Sequence, residues 1–257
     1  MAPDATIVCT LAVFTRALPD LPLVVAANRD EFYVRPTEGP RVLAQQPLVV
    51  GGRDVVAGGS WLATGQTGLV VGILNRRTGE PPDPARASRG ALCVALARLD
   101  SVEAAVDLLS GLRVDEHNPF NVLVADRSRA IVAQNRTGGM ALHELPAGTH
   151  LLTNLDLNDA TCERISRSSQ RFQNLAAAHV ASKDRSGLVS GLHAVLGDHL
   201  TAVDDRAPTD QLCIHTDGFG TRSSSILLTD QSGRIDYLHA SAAPCRGAYR
   251  RIPLPWQ

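Results

Sequence analysis

The 257-residue sequence lacks long hydrophobic runs, a strong net charge and nearly all lysine. No apolar stretch reaches the roughly eighteen residues of a membrane-spanning helix, and no basic, hydrophobic leader opens the chain. We therefore expect a cytoplasmic protein without a transmembrane segment. A formal net charge of −1 does not favour nucleic acid as a partner. Lys183 is the only lysine, and this bias towards arginine is typical of a GC-rich coding sequence.

Cysteines and aromatic residues are also few. The five cysteines are scattered, at Cys9, Cys93, Cys162, Cys213 and Cys245. There is no C-x-x-C pair, no H-E-x-x-H motif and no clustered set of ligands along the sequence, so neither a zinc site nor metal catalysis is expected. An aromatic content of 4% disfavours a stacking platform for sugars or bases.

Short β-branched runs alternate with helical patterns along the chain. Strands are predicted at Ile7 to Phe14, Leu21 to Ala27, Leu48 to Val50, Ser60 to Ala63, Leu69 to Leu74, Phe120 to Ala125, Ala130 to Ala133, His150 to Leu152, Gln211 to His215, Ser224 to Leu228 and Ile235 to Leu238. Helices are predicted over 88–99, 102–109, 160–180 and 188–196, the third opened by Asp159. Two glycine pairs, Gly51-Gly52 and Gly58-Gly59, indicate hairpin turns. The order predicts a single α+β domain over residues 1–257, with antiparallel sheets layered with helices.

A charged run, Asn28-Arg29-Asp30-Glu31, follows the second predicted strand. Such a run at a strand end is also typical of a solvated turn. Strand alternation places Asn28 and Asp30 on one face and Arg29 on the other. Arg29 and Asp30 can therefore both reach one point only if the strand ends or bends there.

Cys9, near the start of the first predicted strand, is the candidate nucleophile, although a single cysteine is more often a small core residue. If Cys9 opened the mature chain, its α-amine, which titrates at about 7.7–8, would accept the thiol proton without a histidine. A GTG start codon at Val8, or removal of residues 1–8, would expose it, so we expect those residues to be absent from the mature chain. Arg29 would then favour the thiolate, and Asp30 would hold the amine.

Three more polar residues adjoin predicted strands. Asn75 and Asn154 each close an apolar run, where asparagine also occurs as an ordinary turn former. Their amides are donors suited to an oxyanion. Arg222 precedes the strand Ser224 to Leu228 and is a candidate second cation near the thiolate, or a surface arginine beside a polar turn.

Together these motifs resemble the NRDE family, whose eukaryotic members include transport and Golgi organisation protein 2. The resemblance covers almost the whole chain. It is carried by Cys9 to Ala12, Ala27 to Tyr33, Arg35-Pro36-Thr37, Gly51 to Asp54, Gly59 to Ala63, Leu74-Asn75-Arg76, Leu152-Thr153-Asn154 and Gly220 to Ser224. Family members commonly begin Met-Cys, which matches a start at Val8.

That family is in turn similar to N-terminal nucleophile (Ntn) cysteine hydrolases such as penicillin V acylase and bile salt hydrolase. The resemblance implies a four-layered αββα sandwich and hydrolysis of a non-peptide C–N (amide) bond through an acyl-enzyme, with no required cofactor. A small-molecule amide or lipid-like ligand is the expected partner. The implied catalytic residues are Cys9, Arg29, Asp30, Asn75, Asn154 and Arg222. The Arg29 and Asp30 match is weaker, because two residues separate this pair in the acylases.

Two alternatives remain open at this point. The same fold could carry haem or an acyl lipid without catalysis, because eukaryotic relatives are linked to haem movement and lipid metabolism. His143, His150 and His215 lie at strand ends and could bind haem iron, although each is also typical of a surface or capping histidine. A papain-like dyad would pair Cys9 or Cys213 with a histidine, and no sequence feature favours it.

Overall fold

The computed structural model describes residues 9–136, 138–200 and 210–257. Within these ranges the chain forms thirteen strands and four helices. In chain order they are β1 (Thr10–Thr15), β2 (Leu23–Phe32), β3 (Thr37–Gln45), β4 (Leu48–Asp54), β5 (Leu62–Gly65), β6 (Val70–Asn75), α1 (Arg89–Ala97), α2 (Val102–Gly111), β7 (Phe120–Ala125), β8 (Ala130–Arg136), β9 (Gly139–Glu144), β10 (Gly148–Leu152), α3 (Glu163–Ser182), α4 (Arg185–Leu196), β11 (Phe219–Thr229), β12 (Ile235–Ala240) and β13 (Arg250–Ile252).

The strands form two sheets in which every paired neighbour is antiparallel. The first sheet has the order β10-β1-β2-β11-β12-β13, and the second has the order β3-β4-β5-β6-β7-β8-β9. The strands of the second sheet lie side by side in chain order. Their connections are short, as antiparallel neighbours allow, except between β6 and β7, where α1 and α2 intervene. This topology confirms the prediction of antiparallel sheets.

Three apolar cores hold the layers together. Between the sheets, Leu11 and Val25 of the first sheet pack with Leu62 and Leu123 of the second in one buried cluster. A second cluster packs α1 and α2 on the outer face of the second sheet. A third cluster packs α3 and α4 on the outer face of the first sheet. The order helix, sheet, sheet, helix confirms the predicted αββα sandwich, while the single-domain assignment stays a prediction.

The helices begin close to the positions predicted from their caps. Ser88 and Ser101 cap α1 and α2 as expected, each accepting a hydrogen bond from a backbone N–H of the first turn. In contrast, α3 begins at Glu163, because Asp159 caps the preceding turn through the Thr161 N–H. Within the described ranges, no helix combines the length and the hydropathy needed to cross a membrane.

One predicted strand and one predicted turn are wrong. Residues Gln211 to His215 form no strand, because the Cys213 N–H donates to the Asp198 carbonyl and the Ile214 N–H donates to the Thr221 hydroxyl. The pair Gly51-Gly52 lies inside β4, where a Cβ on Gly51 would stand 2.6 Å from the Leu62 carbonyl oxygen. The pair Gly58-Gly59 does lie in the connection between β4 and β5, just after the turn at residues 55–57, with φ of 65° and 78°.

Candidate active site

The first sheet holds Cys9 between two of the predicted site residues. In the register of β1, Thr10 pairs with Asn28 of β2 and Leu11 pairs with Leu152 of β10. Continued by one residue towards β2 and by two towards β10, these registers place Cys9 level with Arg29 on one side and Asn154 on the other. The partly buried Cys9 thiol donates a hydrogen bond to the Asp30 carbonyl oxygen, with an Sγ–O distance of 3.6 Å.

Two adjoining cavities, which we call the cleft, lie in front of Cys9. The inner cavity has a volume of about 470 Å³ and is lined by Cys9, Arg29 and Asn75 among others. The outer cavity, of about 290 Å³, is lined by Asn75 and Asn154 and by the segment that follows β6. The two cavities share Asn75, Pro82, Asp83, Arg86, Arg89 and Asn118. Asn75 therefore lies at the junction between the inner cavity, which Cys9 lines, and the outer cavity, which Asn154 lines.

Successive side chains at the end of β2 point to opposite faces, as the alternation predicts. Asn28 faces the helix layer, where its amide donates to the Leu196 and Leu212 carbonyls at 2.8 Å each. Asp30 faces the same way and accepts hydrogen bonds from Arg164, at 3.1 Å, and from the Thr221 hydroxyl, at 2.5 Å.

Arg29 and Glu31 point the other way, into the space between the sheets. The Arg29 guanidinium lies 3.4 Å from Glu31 and 3.9 Å from Asp54 at the end of β4. Its Nη1 is buried and has no hydrogen-bond partner among the described residues. Arg29 and Asp30 therefore have separate surroundings, although the charges of both act on the Cys9 thiol.

A bulge in β11 decides the position of Arg222. The pairing with β2 shifts between Thr221 and Ser223, which leaves Arg222 as the extra residue. Its guanidinium donates to the carbonyls of Phe32, Tyr33 and Arg35, and its side chain lines a separate cavity of about 100 Å³.

Arg222 does not line the cleft, contrary to the position that we expected near the thiolate. Arg29 lines both the inner cavity and the separate one, so the structure places Arg222 on the far side of Arg29.

The electrostatics of the site keep the Cys9 thiol protonated. Burial raises its pKa to about 12, the Asp30 carboxylate adds to this effect, and Arg29 opposes it. Burial also raises the pKa of Asp30 to about 6, against the pull of Arg164. In the sequence as given, the Cys9 nitrogen belongs to the peptide bond with Val8 and is not a base. A thiolate here therefore needs a further cation or base beside the sulfur.

Sequence reasoning missed Arg164. It lies in the first turn of α3 and is almost fully buried, and its guanidinium donates to Asp30 and, at 2.9 Å, to the Thr10 hydroxyl. An arginine in a polar helix is usually solvated. The available signal was spacing, because Arg164, Ser168 and Phe172 recur every four residues and form one buried face.

Sequence reasoning also missed Asn121, which holds the backbone on either side of Asn154. The Asn121 amide, on β7, donates to the Thr153 carbonyl at 2.8 Å and to the Leu155 carbonyl at 2.6 Å. The Arg77 N–H donates to the Asn154 carbonyl at 2.8 Å.

These contacts fix the backbone around Asn154 without using its side-chain amide. Within the described residues, neither the Asn75 nor the Asn154 side chain takes part in a hydrogen bond, so both amides are available to a ligand in the cleft.

Comparison with known proteins shows to which family the chain belongs. Residues 8–243 match the family model for Transport and Golgi organisation 2. The chain belongs to this family. It is 27% identical over 245 residues to the human Transport and Golgi organization protein 2 homolog, covering 85% of this chain and 86% of the relative. It is 24% identical over 252 residues to the Drosophila melanogaster Transport and Golgi organization protein 2, covering 84% of each.

Solved structures show which fold this family member has. Penicillin V acylase from Agrobacterium tumefaciens superposes with a TM-score of 0.58 at 13% identity, covering 91% of this chain and 83% of the acylase. The Caenorhabditis elegans N-acylethanolamine-hydrolyzing acid amidase ortholog gives a TM-score of 0.53 at 12% identity, covering 95% and 100%. At such identities the likeness concerns the fold alone, which is that of the Ntn hydrolases and confirms the resemblance seen in the sequence.

The histidines considered as iron ligands are engaged with other protein groups in this family member. His143 contacts Gln134 at 3.1 Å, and His150 contacts the Pro146 carbonyl at 2.9 Å. His215 lies 3.6 Å from the Cys213 sulfur, so a cysteine–histidine contact does exist. It lies outside the cleft, and no histidine is among the described residues that line the Cys9 cavity.

Proposed function

We propose that this member of the Transport and Golgi organisation 2 family is an N-terminal cysteine hydrolase that cleaves a non-peptide amide bond. The observation that carries the proposal is the Cys9 thiol, which opens onto a cleft where two asparagine amides are available. The fold supports it, because two solved neighbours of this fold are named an acylase and an acid amidase. Fold alone does not establish activity, so the proposal depends on the site.

The first step requires a base beside the thiol, and we place that base at Cys9 itself. When the chain begins at Cys9, its free α-amine, with a pKa of about 8, can take the Sγ proton. The ammonium that forms is a cation next to the sulfur, and with Arg29 it offsets the burial and the Asp30 charge that hold the thiol protonated. The start of the family match at residue 8 agrees with this boundary.

The chemistry then proceeds through a thioester. The Cys9 sulfur attacks the amide carbonyl carbon, and the carbonyl electron pair moves onto oxygen, where the amides of Asn75 and Asn154 donate hydrogen bonds to it. The C–N bond breaks as the oxyanion collapses, and the leaving nitrogen takes the proton from the α-ammonium. Water, deprotonated by the α-amine, attacks the thioester, and the carboxylic acid leaves as the thiol is restored.

Uncompensated arginines in the cleft indicate the charge of the substrate. Arg89, the first residue of α1, lines both cavities, and its guanidinium donates to the Pro119 carbonyl at 3.0 Å. Among the described residues, neither Arg89 nor Arg77 forms an ion pair, and of the acidic residues that line the cleft only Glu80 lacks one. Burial, together with the charge of Arg35, lowers the pKa of Arg89 to about 10, so it is still cationic at neutral pH. We therefore propose that the substrate is an amide that carries an anionic group.

The test is a substrate screen on protein prepared to begin at Cys9, by cleavage of a fusion that leaves this residue first. N-acyl amides with and without a carboxylate are compared with wild type and Cys9→Ala. We expect turnover by wild type and none by Cys9→Ala, with both proteins equally folded by circular dichroism. Equal turnover by Cys9→Ala would overturn the proposal. A different result would instead support the alternative of a non-catalytic haem or acyl-lipid carrier. In that case no amide is turned over, and haem or an acyl lipid binds saturably to wild type and to Cys9→Ala alike.

A further inference from the structure

Four metal-ligating side chains converge at a second place, away from the cleft. They are His199, Cys213, His215 and Cys245, and one ligand atom from each lies within 4.8 Å of all the others. The two sulfurs are 3.5 Å apart, and the His215 Nε2 lies 3.6 Å from the Cys213 sulfur and 3.1 Å from the Cys245 sulfur. None of the four lines the cleft.

These separations are close to those of a tetrahedral zinc site. Zn–S bonds of about 2.3 Å and Zn–N bonds of about 2.0–2.1 Å separate two sulfur ligands by about 3.8 Å and a sulfur from a nitrogen by about 3.6 Å. Two cysteines and two histidines are also a ligand set that Zn²⁺ favours in structural sites. We propose that His199, Cys213, His215 and Cys245 bind one Zn²⁺ ion.

The surroundings of the cluster are already arranged for ligation. The His199 Nδ1 lies 2.9 Å from the Cys213 carbonyl oxygen, and when it donates its proton there the Nε2 carries the lone pair. Such a hydrogen bond to a carbonyl fixes the orientation of metal-binding histidines. The Cys213 backbone is held by its own N–H, which donates to the Asp198 carbonyl at 2.9 Å.

Burial and ligand number point to a structural role. Cys213 is buried, whereas His199 and Cys245 are exposed, so an ion can reach the cluster from solvent. Four protein ligands close a tetrahedral shell and leave no position for substrate. The ion would join three separate segments of the chain, and none of them forms a helix or strand at its ligand.

One of these segments supports the candidate active site. The Thr221 hydroxyl accepts a hydrogen bond from the Ile214 N–H, beside Cys213, and donates one to Asp30. Bound zinc would therefore restrain the backbone that positions Asp30. We expect zinc to raise the melting temperature of the whole chain, since a ligand that binds only the folded state stabilises it.

The experiment measures metal binding by the full chain, purified with reductant and stripped with a chelator. Titration with Co²⁺, a spectroscopic substitute for Zn²⁺, should show one ion per chain, with thiolate-to-metal charge-transfer bands and the intense visible bands of tetrahedral cobalt. Zn²⁺ should displace it. Cys245→Ser and His215→Ala should each weaken binding by about tenfold or more. Cys162→Ser and Cys9→Ala, which change cysteines outside the cluster, should leave binding unchanged.

A second measurement does not depend on the folding of variants. Zn²⁺ should protect Cys213 and Cys245 of the wild-type chain from alkylation, as read by peptide mass, while Cys162 remains as reactive as before. The proposal is overturned if stripped, reduced protein gives no tetrahedral cobalt spectrum. A Cys162→Ser or Cys9→Ala protein that loses the spectrum would also overturn it. A Cys213–Cys245 disulfide found in place of metal in the reduced preparation would contradict it as well.

Discussion

The Asp30 carboxylate and the Arg164 guanidinium form an ion pair at 3.1 Å, and their side chains are 0% and 1% exposed. This pair connects the end of β2 to the first turn of α3, across the face of the first sheet that the helices cover. A buried ion pair contributes little net stability over an apolar pair of the same shape. Removing only one partner destabilises the fold, because it leaves the other charge buried without compensation.

The first prediction follows from this asymmetry. Arg164→Met should lower the free energy of unfolding by about 3–5 kcal/mol, because it leaves the Asp30 carboxylate buried without the guanidinium beside it, and Asp30→Asn should lower it as well. The double variant should recover most of that loss. Urea denaturation of the four proteins checks this, and additive losses in the double variant would contradict it.

The second prediction concerns pH and the buried His239, whose Nδ1 lies 3.0 Å from the Ser225 hydroxyl. Burial lowers its pKa from 6.5 to about 4. The unfolded chain therefore binds this proton at a higher pH than the folded chain does. Neutral His239 therefore contributes its full share to the free energy of unfolding above pH 6.5. About 3 kcal/mol of that free energy is lost as the pH falls towards 4.

The control for this prediction must separate the effect of His239 on stability from that of Asp30, which changes with pH in the opposite direction. Its pKa is raised from 3.8 to about 6, so its contribution is complete below pH 3.8 and is lost as the pH rises through 6. Comparing wild type with His239→Gln removes the Asp30 effect, which both share. Their difference in unfolding free energy should narrow between pH 6.5 and 4, and a constant difference would contradict the assignment.

The third prediction tests the asparagine amides. Asn154→Ala should lower kcat by about a hundredfold or more with little change in KM, because an oxyanion donor acts mainly in the transition state. Asn121→Ala, which releases the backbone around Asn154, should lower kcat by a smaller factor in the same manner. The exposed Asn174→Ala serves as the control. A rise in KM alone would assign Asn154 to ground-state binding.

The fourth prediction tests the charge of the substrate. Arg89→Gln should raise KM for carboxylate-bearing amides by about tenfold or more and leave neutral amides unaffected, since it removes one charged donor. Arg98→Gln, at the other end of α1 and outside the cleft, is the matched control. Equal losses on both kinds of substrate would mean that Arg89 supports the cleft wall and not an anion.

The central strands were predictable because each is an apolar run bounded by turn residues. The predicted bounds of β7 agree with the structure, whereas β3, β9 and β13 were missed. These three are edge strands, each with one unpaired side and a largely exposed or half-buried surface, so they carry no apolar run.

Convergence of distant residues was less predictable. The family resemblance brought Cys9, Asn75 and Asn154 together, whereas spacing alone does not reveal which strands become neighbours. The position of Arg222 depends on a bulge in β11 that no residue pattern marks. The cluster around Cys213 was missed because its four ligands come from three segments separated by many residues, contrary to our expectation of no clustered ligand set.

The central claim is that the Cys9 α-amine is the base. Its most direct test measures the intact mass and the amidase activity of the same protein sample. Two preparations are compared, one that retains residues 1–8 and one that begins at Cys9, each with its mass recorded on the sample assayed. We predict amide turnover only from chains whose mass corresponds to residues 9–257, with an acyl adduct trapped on Cys9. Equal turnover by a preparation that still carries residues 1–8 would contradict this account.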